Sequence, residues 1–295
     1  MSLSPIILFV YNRPDHTKRT LDALGKNILA AESPLFIFSD GPKDKDENNS
    51  VERVREVISG AKGFKEVKIV QKEKNLGLAD SVISGVNEII STFGKVIVME
   101  DDIITSRYFL NFMNETLQFY KDDSKVYSIS GYNFPVKIVK SYPHKIYISP
   151  RPSSWGWATW RDRWEKVDWN ISDYRSFINN KEQVRYFNLG GDDLSLMLDR
   201  QMSGKINSWA IRWAYSHFIS RSFCLYPVNS FLINIGADKS GTHTRKTSIY
   251  DVDLQKEPYS DYLIRDIEPD ERVLREFRKY FSKKNILKRI YRLVR

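Results

Sequence analysis

The sequence predicts an α/β fold in which a mostly parallel β-sheet carries helices on both faces. Short, uninterrupted apolar runs of strand length alternate with stretches of helical periodicity through the first 130 residues, and the connections between them are short. Strands buried on both faces have this continuous apolar character, and such alternation favours parallel pairing. A chain of 295 residues that is 41% hydrophobic can form one large α/β domain with an added substrate-binding part, or two small domains.

The expected elements follow in order along the first half of the chain. Apolar runs predict strands at 5–11, 35–39, 67–70, 96–99 and 126–130. Helical periodicity predicts helices at 15–25, capped by Asp15, and at 51–58, 77–90 and 106–120. After about residue 133 the alternation ends, and we expect helices at 191–203 and 207–220 and strands near 223–226 and 230–235.

Composition excludes several classes of protein. The single cysteine, Cys224, excludes an intramolecular disulfide framework and a cysteine-based zinc site, and it fits a reducing compartment. We find neither a signal-peptide pattern nor an apolar run near the ~20 residues that span a bilayer, so we expect a cytoplasmic protein. The net charge of +9 favours anionic partners: nucleotide phosphates, an anionic membrane surface or nucleic acid.

Three consecutive carboxylates, Glu100, Asp101 and Asp102, follow the strand predicted at 96–99. Ligands of open α/β sheets bind beyond the carboxyl ends of the strands. Adjacent negative charges repel one another unless a cation or hydrogen-bond donors compensate, and a hard divalent cation shared with a diphosphate would do so. The alternative is a solvated acidic cluster at a strand end.

Polar residues at the ends of other strands belong to the same edge of the predicted sheet. Tyr11 and Arg13 end the first strand, and Arg13 is a candidate phosphate ligand. Asp40 ends the second strand and can accept hydrogen bonds from a base or ribose. Asn75 opens the helix at 77–90, whose first N–H groups can meet an anion or can simply be capped.

The residues around the carboxylates resemble a known motif. The segment 98–103, followed by Tyr108 and Phe109, resembles the EDD variant of the DxD motif of GT-A-fold glycosyltransferases similar to the N-acetylglucosaminyltransferase I family. The resemblance extends, in the same order, over about residues 5–160. Its other parts are the two nucleotide-binding strands at 5–13 and 36–41, the strand at 126–133 and the Gly-Trp element at 154–158.

This resemblance implies a GT-A-like enzyme that transfers a hexosyl or N-acetylhexosaminyl group with inversion. The expected donor is a UDP-sugar bound with Mn²⁺ or Mg²⁺, and the expected acceptor is a hydroxyl of a glycan or of a lipid-linked molecule. By position, Asp102 binds the metal, Asp101 and Glu100 contact the ribose or donor sugar, and Arg13 and Asp40 contact the nucleotide. Tyr11 and Asn75 complete the expected nucleotide-sugar site. A role in surface polysaccharide or lipopolysaccharide synthesis would fit these features.

An inverting transferase needs a carboxylate that takes the proton of the attacking hydroxyl. Asp192 and Asp193, after two glycines, resemble the family's Asp-Asp pair, and we favour Asp193 as the base. The flanking tryptophans of the family are missing here, and related sequences can carry Asp where Ala210 stands. Both aspartates can alternatively cap the helix predicted at 191–203.

Two further segments are candidate parts of the site. The loop 234–244 resembles the loop that closes over the diphosphate in such enzymes, with Lys239 as a phosphate ligand and His243 as a phosphate or metal ligand. A histidine in a surface loop is the alternative. Trp155 and Trp157 are the candidate acceptor platform, although core packing is the usual role of a tryptophan.

We therefore expect residues 1–133 to bind the nucleotide-sugar and metal, 134–268 to bind the acceptor and close the site, and 269–295 to form a basic amphipathic tail. From position 283 onward the tail has six basic residues and no acid, which predicts a helix on anionic lipid or one docked on the domain. The rival functions are a sugar-phosphate nucleotidyltransferase, which usually has a Gly-rich loop after the first strand, and a nucleic-acid-binding protein, which usually has a more concentrated basic motif.

Overall fold

The structure is a computed structural model in which residues 2–238 and 249–285 are described. Within these ranges the strands are β1 Ile6–Val10, β2 Pro34–Ser39, β3 Glu66–Gln71, β4 Lys95–Glu100, β5 Ile103–Thr105, β6 Val126–Ser130, β7 Ile146–Ser149, β8 Trp157–Trp160, β9 Phe223–Pro227 and β10 Leu232–Asn234. The helices are α1 Pro14–Leu24, α2 Asn48–Ser59, α3 Leu78–Phe93, α4 Phe109–Phe119, α5 Arg161–Trp164, α6 Tyr174–Asn179, α7 Lys181–Phe187, α8 Leu194–Met202, α9 Trp209–Ile219 and α10 Glu271–Tyr280.

One central sheet has the strand order β3-β2-β1-β4-β8-β6-β9-β7. Strands β3, β2, β1 and β4 pair in parallel, β8 runs antiparallel between β4 and β6, β9 is parallel to β6, and β7 is antiparallel to β9. A second, two-stranded sheet pairs β5 with β10. The carboxyl ends of β1, β2, β4 and β6 therefore point to the same edge as the residues that precede β8.

Strand β1 shows why the sheet has helices on both faces. All five of its residues are buried, and alternate side chains belong to different cores. Ile6 and Leu8 join the core formed with α1, α2 and α4, whereas Ile7 and Phe9 join the core formed with α3 and α9. The expected α/β architecture, with a mostly parallel sheet covered on both faces, is confirmed.

The structure refines the predicted elements of the first half. The five expected strands are present as β1, β2, β3, β4 and β6. Helix α1 begins at Pro14, and its N-cap residue is Arg13, with no side-chain cap. The expected Asp15 cap is therefore wrong: a proline fits the first helical turn because its missing N–H has no partner there, and Asp15 lies within that turn.

The second half adds strands and helices to the same sheet. Helices α8 and α9 confirm the two expected helices, and β9 and β10 correspond to the two expected strands. The sequence patterns did not identify β7 and β8, which complete the far half of the sheet. Across residues 2–238 and 249–285, no helix is long and apolar enough to cross a membrane.

Candidate functional site

The turn between β4 and β5 carries the acidic cluster at the carboxyl edge of the sheet. Glu100 ends β4 beside Phe9 of the neighbouring β1. The Thr20 hydroxyl of α1 donates to the Asp101 carbonyl oxygen at 2.7 Å and accepts the Ile103 N–H at 3.2 Å. These bonds fix the backbone of the turn, so the directions of its carboxylates are set by the sheet and by α1.

Arg13 lies across the acidic turn, because β1 ends next to β4. Its Nη2 atom is hydrogen-bonded to Asp101 Oδ1 and lies 3.1 Å from Asp102 Oδ2. Asp101 and Asp102 are only 3% and 8% exposed, so this guanidinium is a near-buried counter-charge. In the structure Arg13, a predicted phosphate ligand, contacts carboxylates.

One guanidinium does not neutralise three carboxyl groups. Burial, together with the charges of Asp102 and Asp101, raises the pKa of Glu100 to about 8. Burial also raises the pKa of Asp101 to about 6, although the charge of Arg13 opposes that rise. Both shifts mean that burial and neighbouring charge disfavour the ionised carboxylates, and a bound cation would favour the ionised forms.

Two carboxylate oxygens of the turn have no partner within the described part of the chain. Asp101 Oδ2 and Asp102 Oδ1 are buried, and no described donor reaches either atom. A buried acceptor without a partner is costly, and such oxygens are the ligands that Mg²⁺ and Mn²⁺ prefer. These oxygens therefore fit a divalent cation, for which they would supply only part of the ligands.

The described residues do not supply a complete metal site by themselves. Among them, no three Asp, Glu, His or Cys side chains converge to a possible metal-binding group. His243, predicted as a metal or phosphate ligand, and Lys239, predicted as a phosphate ligand, lie outside the described residues.

The segment after β10 passes directly over the acidic turn. The Ile235 N–H donates to the Asp102 carbonyl oxygen at 2.8 Å. A Cβ at Gly236 would overlap the Asp102 carboxylate and lie 3.0 Å from Arg13 Nη1, so the close approach requires glycine. Two residues on, Asp238 pairs with His16 Nε2 at 3.1 Å. His16 was not among the predicted site residues, although it lies one helical turn after Arg13.

Asp40 has a structural role that the sequence did not indicate. Its carboxylate accepts the N–H groups of Leu76 at 2.9 Å and Gly77 at 3.0 Å, directly before α3. The same N–H groups were candidates for anion binding, and the structure shows them bound to Asp40. The Asn75 side chain also donates inward, to the Gly41 carbonyl oxygen at 2.9 Å.

Tyr11 and its neighbour are held by a carboxylate that sequence reasoning missed. The Tyr11 hydroxyl donates to Glu47 Oε2, and the Asn12 amide donates to Glu47 Oε1 at 3.0 Å. The Lys43 N–H also points to Glu47 Oε2, at 3.3 Å. This network braces the end of β1 beside Arg13. No motif marks Glu47, which lies in a polar loop.

A cavity of about 360 Å³ opens beside the sheet edge that carries Glu100. Since Trp157 pairs with Val98 in the antiparallel β4–β8 ladder, Trp155 lies toward the end of β4. Trp155 is half-buried and lines the cavity. Other lining residues include Phe134, Asp193, Trp209, Tyr250 and Phe281.

Trp157 does not belong to this cavity surface, and its prediction as an acceptor platform is wrong. Only 1% of the residue is exposed. Its ring stacks on Trp164 at 5.5 Å and on Trp209 at 5.1 Å between centroids, within the core covered by α3 and α9. A side chain enclosed by other tryptophans has no face left for a sugar.

Asp193 is the carboxylate that the structure brings to the cavity. Arg151 binds it in a bidentate pair, with Nη1–Oδ1 and Nη2–Oδ2 distances of 2.8 and 2.9 Å. Asp193 occupies the N-cap position of α8 without a side-chain cap bond, so the helix-capping alternative does not describe it. Ala210, the position where related sequences can carry Asp, lines the same cavity.

Asp192 faces away from the cavity. Its Oδ2 atom accepts the Lys283 N–H at 2.9 Å, and its own N–H donates to the Phe281 carbonyl oxygen at 3.1 Å. Gly191, directly before the two aspartates, has a φ of 146°, which favours glycine. Asp192 therefore anchors the chain after α10, and of the two aspartates only Asp193 lines the cavity.

Comparison with solved structures finds similar folds at low identity. The mannosyltransferase PcManGT from Pyrobaculum calidifontis, solved with GDP-Man and Mn²⁺, is 14% identical over 56% of this chain and 47% of its own length, with a TM-score of 0.40. S. aureus TarS 1-349 is 10% identical over 77% and 59%, with a TM-score of 0.41. A UDP-glucose pyrophosphorylase bound to UDP-glucose is 12% identical over 76% and 90%, with a TM-score of 0.36.

These values are too low to assign the chain to either group of enzymes. The chain spans about half the length of PcManGT and about three fifths of TarS 1-349. No protein-family model and no curated protein matches the chain.

Proposed function

We propose that this protein is a metal-dependent glycosyltransferase that transfers a sugar, with inversion, from a UDP-sugar to a hydroxyl of a glycan or lipid-linked acceptor. The observation that carries the proposal is the pair of buried, unpartnered oxygens, Asp101 Oδ2 and Asp102 Oδ1, at the carboxyl edge of a parallel sheet. A nucleotide diphosphate completes such a site, because it brings both a cation and the oxygens that share it.

In this proposal the acidic turn holds Mn²⁺ or Mg²⁺ through Asp102, with Asp101 beside it. When bound, the cation would neutralise negative charge on the departing nucleoside diphosphate. Arg13 lies within hydrogen-bond reach of both carboxylates, so its guanidinium would also lie near a diphosphate bound at the acidic turn and could donate to it. Glu100 would face the ribose or donor sugar.

The acceptor would bind in the cavity beside Trp155, with a sugar against the indole. Asp193 is the lone carboxylate among the described residues that line this cavity, and it would take the proton of the attacking hydroxyl. Arg151 fixes the orientation of this carboxylate through two hydrogen bonds. A cytoplasmic role in assembling surface polysaccharide or lipopolysaccharide is consistent with such an acceptor.

Ligand-dependent thermal stability tests the proposal directly. UDP-, GDP-, CMP- and dTDP-sugars are compared with and without Mn²⁺, since a ligand that binds only the native state raises its stability by mass action. We expect a UDP-sugar to raise Tm most, and only with the metal present. Sugar-phosphate and UTP binding without any UDP-sugar transfer would instead support a nucleotidyltransferase. The absence of any nucleotide effect would refute both.

The base assignment has a separate test. In Asp193→Asn the side chain keeps its size and loses its basicity, so we expect turnover to fall by about 10²- to 10⁴-fold, the range of general acid–base contributions. The Kd for the donor, measured calorimetrically, should stay within about threefold of the original. An unchanged turnover would show that Asp193 is not the base and that another group takes the proton.

A further inference from the structure

A second depression, outside the proposed active site, lies between α7, the turn Asn188–Gly190 and α10. We call it the basic groove. It has a volume of about 510 Å³. Three half-buried apolar residues line it, Ile178, Val184 and Leu189, and we call them its apolar floor. The other lining residues are the basic Lys181, Arg185 and Arg278 and the polar Asn188 and Asp192.

The cations of the basic groove are poorly compensated. Lys181 and Arg185 lie one helical turn apart on α7, and within the described chain no carboxylate lies within ion-pair distance of either. Among the described residues, Arg278 forms one ion pair, with Glu271 at 2.9 Å, and the Glu271 side chain is 79% exposed. Like charges at this helical spacing repel, and an anion bound between them relieves that repulsion.

The chain after α10 brings more positive charge to the same place. The Lys283 N–H donates to the Asp192 carboxylate, which lines the basic groove, and Lys283 and Lys284 are both exposed. Beyond position 285 the sequence adds four basic residues and no acid. Within the described residues, the chain after α10 therefore adds two exposed lysines beside the basic groove.

The basic groove shares a wall with the proposed acceptor cavity. Asp192 lines the groove and Asp193 lines the cavity, so consecutive residues face the two spaces. Phe281, the residue after α10, lines the cavity, and its carbonyl oxygen accepts the Asp192 N–H at 3.1 Å. A molecule with an anionic group in the groove would have neighbouring atoms beside the cavity.

We propose that the basic groove binds the headgroups of anionic lipids, so that the protein docks on a membrane with its acceptor cavity next to the bilayer surface. Basic side chains attract anionic headgroups, and the apolar floor suits the upper part of an acyl chain. A nucleic-acid backbone would use the cations and leave the apolar floor uncovered. Docking on lipid does not depend on the proposed function. Only the benefit of docking for a lipid-linked acceptor rests on that function.

The test uses the full-length chain and sedimentation with vesicles of neutral phosphatidylcholine, alone or mixed with anionic phosphatidylglycerol. We expect the original protein to bind only the anionic vesicles, and less strongly as salt is raised. The double variant Lys181→Ala/Arg185→Ala should bind about thirtyfold more weakly, given the usual contribution of each basic residue near an anionic surface. The tail beyond position 285 is intact in both proteins.

The control is Lys62→Ala/Lys65→Ala, which removes two exposed lysines near β3. Strand β3 is one edge of the central sheet, and β7 is the other. This variant should bind vesicles like the original protein. Equal loss in both double variants, or no loss in either, would overturn the assignment of the groove. A selective loss of oligonucleotide binding in the groove variant, without vesicle binding by the original protein, would assign the groove to nucleic acid instead.

The failure of this inference can be separated from failure of the proposed function. UDP binding with Mn²⁺ is measured on the same groove variant and should equal that of the original protein, since the groove lies outside the acidic turn. Vesicle binding without nucleotide binding would leave the groove assignment intact and refute the transferase. Nucleotide binding without vesicle binding would refute the groove assignment alone.

Discussion

Arg13 connects two carboxylates through one nitrogen of its guanidinium. Its Nη2 atom contacts both Asp101 and Asp102. The second oxygen of each carboxylate, Asp101 Oδ2 and Asp102 Oδ1, has no described partner. This partly buried arginine compensates part of the negative charge of the two carboxylates. In the proposed function, this side chain would also contact the diphosphate.

Replacing Arg13 should therefore expose the repulsion that it relieves. In Arg13→Gln the two carboxylates lose their counter-charge, and we expect the free energy of unfolding to fall by about 3 kcal/mol, as for other broken buried pairs. Saturating Mn²⁺ should raise the Tm of the variant more than that of the original protein, because the ion takes the place of the guanidinium. Differential scanning fluorimetry with and without Mn²⁺ measures both effects.

Arg55 provides the matched control. Its side chain is 18% exposed, against 17% for Arg13, and it pairs with Glu52 on α2. Arg55→Gln should leave the response to Mn²⁺ unchanged. If Arg13→Gln and Arg55→Gln respond alike to the metal, Arg13 does not compete with a cation for the acidic turn.

His217 is a buried group with a purely structural environment. It is fully enclosed, its Nδ1 atom lies 2.9 Å from the Trp213 carbonyl oxygen, and its Nε2 atom lies 2.8 Å from Ser128 Oγ. The carbonyl can only accept, so Nδ1 carries the proton and Ser128 donates to Nε2. Burial lowers the pKa of His217 to about 3, which keeps the ring neutral.

This depressed pKa makes stability depend on pH. Below about pH 6.5 the unfolded chain binds a proton at His217 that the folded chain does not, so the folded state loses stability as pH falls toward 3. Between pH 6.5 and 5 the loss from this group is about 2 kcal/mol. We expect His217→Gln to show a correspondingly flatter dependence in urea unfolding measured at several pH values. Parallel curves for the two proteins would contradict the neutral buried histidine.

At the scale of elements, Asp40 holds the start of α3 against the end of β2. Both of its oxygens accept hydrogen bonds, from Gly41, Leu76 and Gly77 N–H groups and from the Ser81 hydroxyl. The sequence predicted that this carboxylate contacts the nucleotide, and that role stays a prediction. The hydrogen bonds to the start of α3 are a second possible role for Asp40, and an experiment can distinguish it from a nucleotide contact.

Asp40→Asn distinguishes the two accounts. An amide has one acceptor oxygen where the structure uses two, so one set of N–H groups loses its partner, and we expect the free energy of unfolding to fall by about 1–3 kcal/mol. The Kd for UDP should remain within about threefold if the carboxylate acts only on α3. Asp44→Asn is the control: Asp44 accepts two N–H groups through one oxygen, which asparagine can replace. A large loss of UDP affinity with unchanged stability would support the nucleotide contact.

The strands that are continuous apolar runs could be predicted from the sequence. Strands β1, β2 and β4 are continuous apolar runs, because helices cover both of their faces. Strand β8, Trp157–Trp160, could not be predicted, because this tryptophan-rich segment does not alternate between apolar and polar residues. Its burial depends on α3 and α9, which lie far from it in sequence, and this is why Trp157 was assigned to the wrong role.

At the scale of the whole molecule, the candidate site joins segments that are distant in the chain. Arg13 follows β1, Asp101 and Asp102 follow β4, and Gly236 follows β10. Strand-end reasoning could place the first three at one edge, because parallel strands align their carboxyl ends. It could not predict that Arg13 pairs with the acids, or that Gly236 passes over Asp102, since both depend on side-chain distances after folding.

The two halves of the chain also meet in one sheet. Residues before position 133 supply the parallel half, and later residues supply β7, β8 and β9. These later strands extend the sheet toward the cavity lined by Trp155 and Asp193. A donor at the acidic turn and an acceptor in the cavity would therefore share one edge of the molecule. The expected division into a donor half and an acceptor half remains a proposal.

The most direct test of the central claim is Mn²⁺ binding measured by electron paramagnetic resonance in the presence of UDP. The original protein should bind about one Mn²⁺ per chain, and Asp102→Asn should weaken that binding by tenfold or more while keeping its far-UV circular dichroism. Asp122→Asn, at a carboxylate that is 88% exposed, is the control and should bind normally. Equal Mn²⁺ affinity in the original protein and Asp102→Asn would contradict a metal and nucleotide site at the acidic turn.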